Sequence, residues 1–381
     1  MNRRRAAAVT AALAVAWLSL GYVNVARGAA HAGAGYRLWA FKHHCYSDVV
    51  AMHGDRYLGG GRPLPYVEDR IEYPVLLGLA LWAPSFLSRS ALVHFTATYL
   101  FLAACLAVSL RALSRLPGAR PWWLGATPAL VYYAGLNWDL LPIALLALAV
   151  LAAERARTAG AGALAGLGVS AKLFPVVVVP PALASLAARE PRRDALRFAL
   201  GLGVALAVLQ VPLALAAPDG WSWFFRFNAA RGAENSIWDA LHVAKGPLLS
   251  ALSFGPLALA TAAGAILSWR TAARGGDARL AVRLSTALAL VVWIATNKVW
   301  SPQYALYGFL AGALAAAPLP AFLALSVASA ADFHLAFEVR ARGWEPWFRD
   351  SIWQPGNVLR TLLWLALAAW IARELWRASR Q

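Results

Sequence analysis

Asp48 is the sharpest candidate for acid–base chemistry in this chain. It closes the stretch His43-His44-Cys45-Tyr46-Ser47-Asp48, rich in aromatic and His side chains. A carboxylate whose pKa is moved toward working pH can take the proton of an attacking hydroxyl. Taken alone, the simpler account is a helix cap, with Ser47 or Asp48 starting a short helix through Met52. The chain has only four lysines, Lys42, Lys172, Lys245 and Lys298. Lys172 and Lys298 each punctuate an apolar run. A desolvated ammonium there needs an anion: a carboxylate, a lipid phosphate or a bound phosphodiester. Snorkelling to lipid headgroups is the alternative. Arg231, in a polar loop, offers the same anion a bidentate fork.

Other polar residues gather in short clusters: Glu72-Tyr73-Pro74, Asn137-Trp138-Asp139, Asn228 to Asp239, and Asn297 to Tyr304. They supply His44, Tyr46, Glu72, Tyr73, Asn137, Asp139, Asn228, Trp238 and Gln303 as candidate substrate-binding residues. Metal and nucleotide signals are weak. His43 and His44 are adjacent rather than helically spaced, and no carboxylate pair accompanies Asp48, so no metal is expected. Gly59-Gly60-Gly61 lacks the Lys-Ser/Thr of a phosphate loop and reads as a turn.

The elements that must position these residues are apolar. The chain has 381 residues, of which 60% are hydrophobic and 14% charged; a soluble domain has nearer 25% charged. A hydrocarbon core of about 30 Å needs roughly 20 apolar residues per helix. The pattern predicts an all-α polytopic membrane protein of about twelve crossings, forming one domain over 1–381. They are expected near 6–26, 91–112, 122–137, 139–154, 159–172, 175–188, 197–217, 247–269, 281–297, 302–317, 320–337 and 358–376. The main segments outside lipid are then a large first outer loop, 27–72, and two further outer loops, 218–245 and 338–357.

Charge orients the set. Placing Asn2-Arg3-Arg4-Arg5 in the cytoplasm also puts Arg111, Arg115, Arg120, Arg155, Arg157, Arg189, Arg192, Arg193, Arg197, Arg270, Arg274, Arg279, Arg283, Arg373, Arg377 and Arg380 there. That is the bias of cytoplasmic loops. The net charge of +17 is thus a topology signal and no nucleic-acid footprint, which would need a solvated basic domain. Both termini are expected in the cytoplasm, the membrane is expected to be the plasma membrane, and the polar clusters fall on the outer face. With Pro74 and Pro84, residues 73–88 read as a half-helix or re-entrant piece. The N-terminal run reads as an uncleaved signal anchor, and Cys45 and Cys105 imply no disulfide framework.

In this order the motifs resemble glycosyltransferase family 87. Tyr46-Ser47-Asp48, Pro65-Tyr66 and Glu72-Tyr73-Pro74-Val75-Leu76 resemble its opening. Asn137-Trp138-Asp139-Leu140-Leu141 and Gly166-x-Gly168 with Ala171-Lys172-Leu173-Phe174-Pro175 resemble its middle. Phe227-Asn228-x-x-Arg231 with Ser236-x-Trp238, and Thr296 to Tyr304, resemble its later loops. The resemblance covers residues 40–305; Trp344 to Trp353 match no motif. That family is similar to the polyprenyl-phosphate-dependent mannosyltransferases of the GT-C class. The resemblance implies a GT-C-like helical fold, a polyprenyl-phosphate sugar donor, a lipid-linked or cell-envelope glycan acceptor, no cofactor, and Asp48 as catalytic base. The mechanism expected from these residues is an inverting transfer in which Lys172, Lys298 or Arg231 holds the donor phosphate. A transporter or lipid flippase is the rival reading, but such proteins hold substrate near the bilayer midplane on repeated, broken helices, and no repeat is visible.

Overall fold

The computed structural model describes residues 3–56, 58–189 and 192–380; Asn2 of the basic N-terminal cluster lies outside them. Among the described residues the regular structure is helical, with two isolated β-bridges, Pro65 with Asp69 and Glu234 with Val299. Among the described residues six helices are long and apolar enough to cross a membrane: Arg5–Ala29, Ala91–Leu113, Arg193–Ala216, Pro247–Ala273, Ala278–Thr296 and Leu319–Ala341. The chain therefore has the pattern of an α-helical, multi-pass membrane protein.

Burial sorts these helices. Ala278–Thr296 runs through the middle of the bundle, packed against Pro247–Ala273, Ala305–Ala315 and Gln354–Ala378. Arg193–Ala216 is the most apolar of the six yet one of the most exposed. Leu196, Leu200, Val204, Val208, Val211 and Leu215 form an exposed stripe along it, at three- and four-residue spacing that keeps them on one helix face. Water does not tolerate such a surface; lipid does.

The inner face of that helix lies flat on Thr158–Ala171. A Cβ built on Gly162 would come within 2.0 Å of the Phe198 carbonyl oxygen, and one on Gly201 within 2.1 Å of the Ala159 carbonyl oxygen. Small residues let membrane helices approach this closely. Gly162→Val is expected to force the two helices apart and lower the unfolding temperature of the detergent-purified protein. Overpacking of this kind costs about 1–3 kcal/mol. Unfolding at the wild-type temperature would show that the helices are not in register as described.

Several expected crossings take a broken form. Residues 122–137 hold two short helices, Trp122–Gly125 and Ala129–Tyr133, separated at Thr127 and Pro128. Proline supplies no N–H to continue the ladder. Residues 302–317 begin with a 3₁₀ turn, Pro302–Tyr304, before Ala305–Ala315. Leu140–Glu154, Thr158–Ala171 and Phe174–Ala187 are apolar but shorter than the long spans; at 1.5 Å per residue each covers only about 20–22 Å. Val75–Trp82 and the 3₁₀ turn Ala83–Phe86 make the half-length segment that the prolines suggested. The expected loop 338–357 is largely helical: Leu319–Ala341 overruns its start, and Gln354–Ala378 begins before its end. Loop 218–245 likewise contains the helix Pro218–Ala230.

The two ends of the bundle differ chemically. At one end Arg283 donates to the Pro117 carbonyl at 2.5 Å and lies 3.5 Å from Glu154, and Arg120 donates to the Ala317 carbonyl at 3.0 Å. Thr10, Arg111 and Arg115 line a cavity there with Arg120. The other end gathers the polar clusters from distant parts of the chain.

Candidate functional site

The site is built around the start of the short helix Asp48–Asp55. Ser47 is its cap: the Oγ accepts from the Val49 N–H at 3.1 Å and donates to the Gly135 carbonyl at 2.6 Å. The Asp48 N–H donates to the Leu136 carbonyl at 2.8 Å. With Ser47 doing the capping, the Asp48 carboxylate is left for another use. It is half-buried and faces a cavity of about 650 Å³.

Both carboxylate oxygens are held. The Tyr46 hydroxyl donates to Oδ1 at 2.8 Å, and Asn137 Nδ2 donates to Oδ2 at 2.9 Å. Asn137 Nδ2 also donates to the Tyr73 hydroxyl at 2.9 Å, while its Oδ1 accepts from the Trp138 N–H at 2.7 Å. Arg37 donates to the Tyr46 hydroxyl at 3.0 Å and pairs with Asp55. The dense surroundings of Asp48 raise its pKa above the ordinary 3.8, against the opposing pull of the Asn137 and Tyr46 hydrogen bonds and the charge of Lys172.

Besides Arg37, which pairs with Asp55, three cations line the same cavity in different states. Lys172 leaves the end of Thr158–Ala171 and forms a 2.5 Å ion pair with Asp139, whose side chain is fully buried. The Lys172 ammonium also lies 5.2 Å from the centre of the Tyr304 ring. Arg231 makes a fork to Glu234, with Nε donating to Oε1 at 2.9 Å and Nη2 to Oε2. Lys298 forms no ion pair among the described residues. Its ammonium donates to the Arg231 carbonyl at 2.8 Å and lies 3.4 Å from that of Ala229. Burial, then the charges of Arg231 and Lys245, lower its pKa below the ordinary 10.5. Lys298 is thus the cation of the cavity left without a carboxylate.

A small β-bridge fixes Arg231 and Lys298 together: Glu234 N–H donates to the Lys298 carbonyl, and Trp300 N–H to the Glu234 carbonyl, each at 2.9 Å. The sequence reading missed what braces it. Asp332 and Arg360 form a buried ion pair. Trp300 Nε1 donates to Asp332 Oδ2 at 2.9 Å, Arg360 donates to the Asn235 carbonyl at 2.7 Å, and its guanidinium lies 4.1 Å from the Trp300 ring centre. The signal was there, since an acid and an arginine in two expected crossings call for a partner. Nothing in the sequence pointed to Arg37.

Ten of the thirteen candidate residues line the one cavity: Asp48, Tyr46, Glu72, Tyr73, Asn137, Lys172, Asn228, Arg231, Lys298 and Gln303. Glu72 is held there by Arg56. Three do not line it. Asp139 is buried behind Lys172. Trp238 turns its indole N–H to the Thr296 carbonyl at 2.6 Å. His44 lies 2.8 Å from His334, Nδ1 to Nδ1, and 3.6 Å from Glu338. In comparisons with protein families, curated proteins and solved structures, nothing matches the chain.

Proposed function

We propose that the protein is a membrane glycosyltransferase that moves a sugar, mannose by resemblance, from a polyprenyl-phosphate donor to a lipid-linked or cell-envelope glycan. The observation that carries this reading is a restrained carboxylate, Asp48, facing the same cavity as an ammonium without a carboxylate, Lys298. A base and an anion-seeking cation lining one cavity suit a substitution in which a phosphate departs as a hydroxyl arrives.

In that substitution the acceptor oxygen attacks the anomeric carbon and forms the new glycosidic bond with inversion. The bond from the anomeric carbon to the phosphate oxygen breaks, and its electron pair leaves on the phosphate. The acceptor proton passes to Asp48. Lys298 and Arg231 stabilise the charge growing on the phosphate. The raised pKa makes Asp48 a stronger base than a solvated carboxylate. A lipid donor also fits an apolar groove of about 180 Å³, lined by Tyr66, Val75, Val169, Leu206, Trp221 and Phe225, which shares Tyr73, Pro74, Leu173 and Phe224 with the cavity. In this reading the shorter apolar helices complete a GT-C-like set of about twelve crossings in the plasma membrane. The arginine-rich end faces the cytoplasm with both termini, and the cavity opens outward.

The decisive experiment is transfer from radiolabelled polyprenyl-phosphate mannose by membranes containing the protein. Transfer above that of membranes lacking it supports the reading; none, with any prenyl-linked sugar, sinks it. Lys298→Met is expected to weaken donor binding about tenfold to a hundredfold, the worth of a charge-assisted contact of about 1.5–3 kcal/mol. Unchanged donor kinetics would move the phosphate elsewhere. The pH profile follows from the two shifts. Asp48 must be deprotonated and Lys298 protonated, so activity falls on the acid side above pH 3.8 and on the alkaline side below pH 10.5. Lys298→Arg is expected to carry the alkaline limb upward, because a guanidinium stays charged. An unmoved limb would assign it to another group.

A further inference from the structure

A second polar cavity, of about 420 Å³, adjoins the first. Glu234 separates them: its backbone pairs with Lys298 and Trp300, its carboxylate holds Arg231, and it also lines the second cavity. The charge of the two differs. The first has Lys298 without a carboxylate. In the second, two acids, Glu234 and Asp239, match two arginines, Arg340 and Arg349, in number, so its lining carries no net charge. Its remaining polar groups, from Asn235, His242 and Gln354, suit a neutral ligand with many hydroxyls.

Trp344 gives this cavity an apolar face. Its side chain is exposed, 41% for the residue, and Arg340 lies 5.4 Å from its ring centre. Its backbone is left-handed, φ 65°, following Gly343 at 64°. A bulky residue rarely adopts that conformation. Among the described residues eight non-glycine positions have positive φ, and three of them, Asn235, His242 and Trp344, line this one cavity. Asn and His adopt this region readily, so Trp344 is the strained member, and strain held at a bulky residue is found at ligand sites.

A chain of packed side chains runs from this cavity to the base. Arg340 lies 5.9 Å from the Phe41 ring centre, Phe41 lies 4.5 Å from the Tyr46 ring centre, and the Tyr46 hydroxyl holds Asp48.

We propose that this second cavity seats the acceptor, a neutral carbohydrate whose ring lies on the indole of Trp344; the assignment rests on the glycosyl-transfer reading above. The acceptor's reacting hydroxyl then extends past Glu234 to Asp48, which lines the first cavity. Donor and acceptor occupy separate chambers, one selecting a phosphate and the other a sugar.

Trp344→Gly is the decisive variant. Glycine adopts φ near 65° without steric cost, so it removes the ring while relaxing the backbone, and the protein should unfold no lower than wild type. The probe is mannobiose, followed by saturation-transfer NMR with the full-length protein in detergent. Wild type is expected to bind it, Trp344→Gly about tenfold more weakly, and Trp344→Phe in between, a loss of about 1.4 kcal/mol for the full ring. Binding of polyprenyl-phosphate mannose should be unchanged in Trp344→Gly. No mannobiose binding by wild type, or equal binding by Trp344→Gly, overturns the proposal. If wild type binds mannobiose at Trp344 but neither binds nor uses the lipid donor, the glycosyl-transfer reading falls, and the acceptor role falls with it. If donor binding and transfer are present and only the Trp344 effect is missing, that reading stands and the acceptor lies elsewhere.

Discussion

Asp48→Asn is expected to lower sugar transfer by about 10²–10⁴, the usual loss when a general base is removed, without harming the fold. Asparagine keeps the size and planarity of the side chain. Its amide can still meet Tyr46 and Asn137, which hold the carboxylate at 2.8 and 2.9 Å. The sign of the stability change follows from the raised pKa. A carboxyl whose folded pKa exceeds its unfolded value favours the fold at low pH, and that advantage is lost as pH rises through the folded pKa. Above that pKa the wild type carries a partly desolvated charge at a cost that asparagine does not bear. The variant should unfold at or above the wild-type temperature at pH 7. Asp55→Asn and Asp69→Asn are the controls. Asp55 pairs with Arg37 and Asp69 with Arg56, and neither lines the cavity, so their effect on rate should be far smaller. Initial rates and thermal unfolding of the purified proteins check all three. Near-normal turnover of Asp48→Asn would remove it as the base.

The helical, lipid-facing character of the chain was legible because it depends on local properties. Length and hydropathy mark Arg193–Ala216 as a span whether or not its neighbours are known, and its exposed stripe follows from helical spacing. The broken elements were less legible. Residues 122–137 read as one apolar run, and only tertiary packing decides whether Thr127-Pro128 kinks a helix or ends it. The overrun of Leu319–Ala341 past residue 337 carries Glu338 and Arg340, charges that a lipid-based reading assigns to a loop; Glu338 pairs with Arg342.

For the candidate site the sequence supplied residue types better than partners. It named Asp48, Asn137, Lys298 and Arg231, which share one cavity. It left open whether Asp48 was a cap, and that question is settled by Ser47, whose Oγ meets the Val49 N–H. Trp238 and His44 belonged to the same motifs but turn to other partners, because a motif fixes order along the chain and not side-chain direction. Lys172 needed an anion, and the choice between a protein carboxylate and a phosphate could not be made until Asp139 was located.

That choice leads to the largest stability effect expected for the protein. Asp139 is fully buried and its ion pair with Lys172 is 2.5 Å long. Removing one member of a buried pair leaves the other charge uncompensated, at a cost of about 3–5 kcal/mol, whereas removing both is far milder. Lys172→Met and Asp139→Asn should each lower the unfolding temperature sharply, and the double variant should recover most of the loss. Transfer by the double variant then separates two roles. If Lys172 serves only to neutralise Asp139, the recovered fold recovers activity. If its ammonium, which lines the cavity, also meets the donor phosphate, the double variant folds but binds donor more weakly. Thermal unfolding of the single and double variants forms a complete cycle. Additive losses would show that the pair does not act as one unit, and the structural role of Lys172 would have to be abandoned.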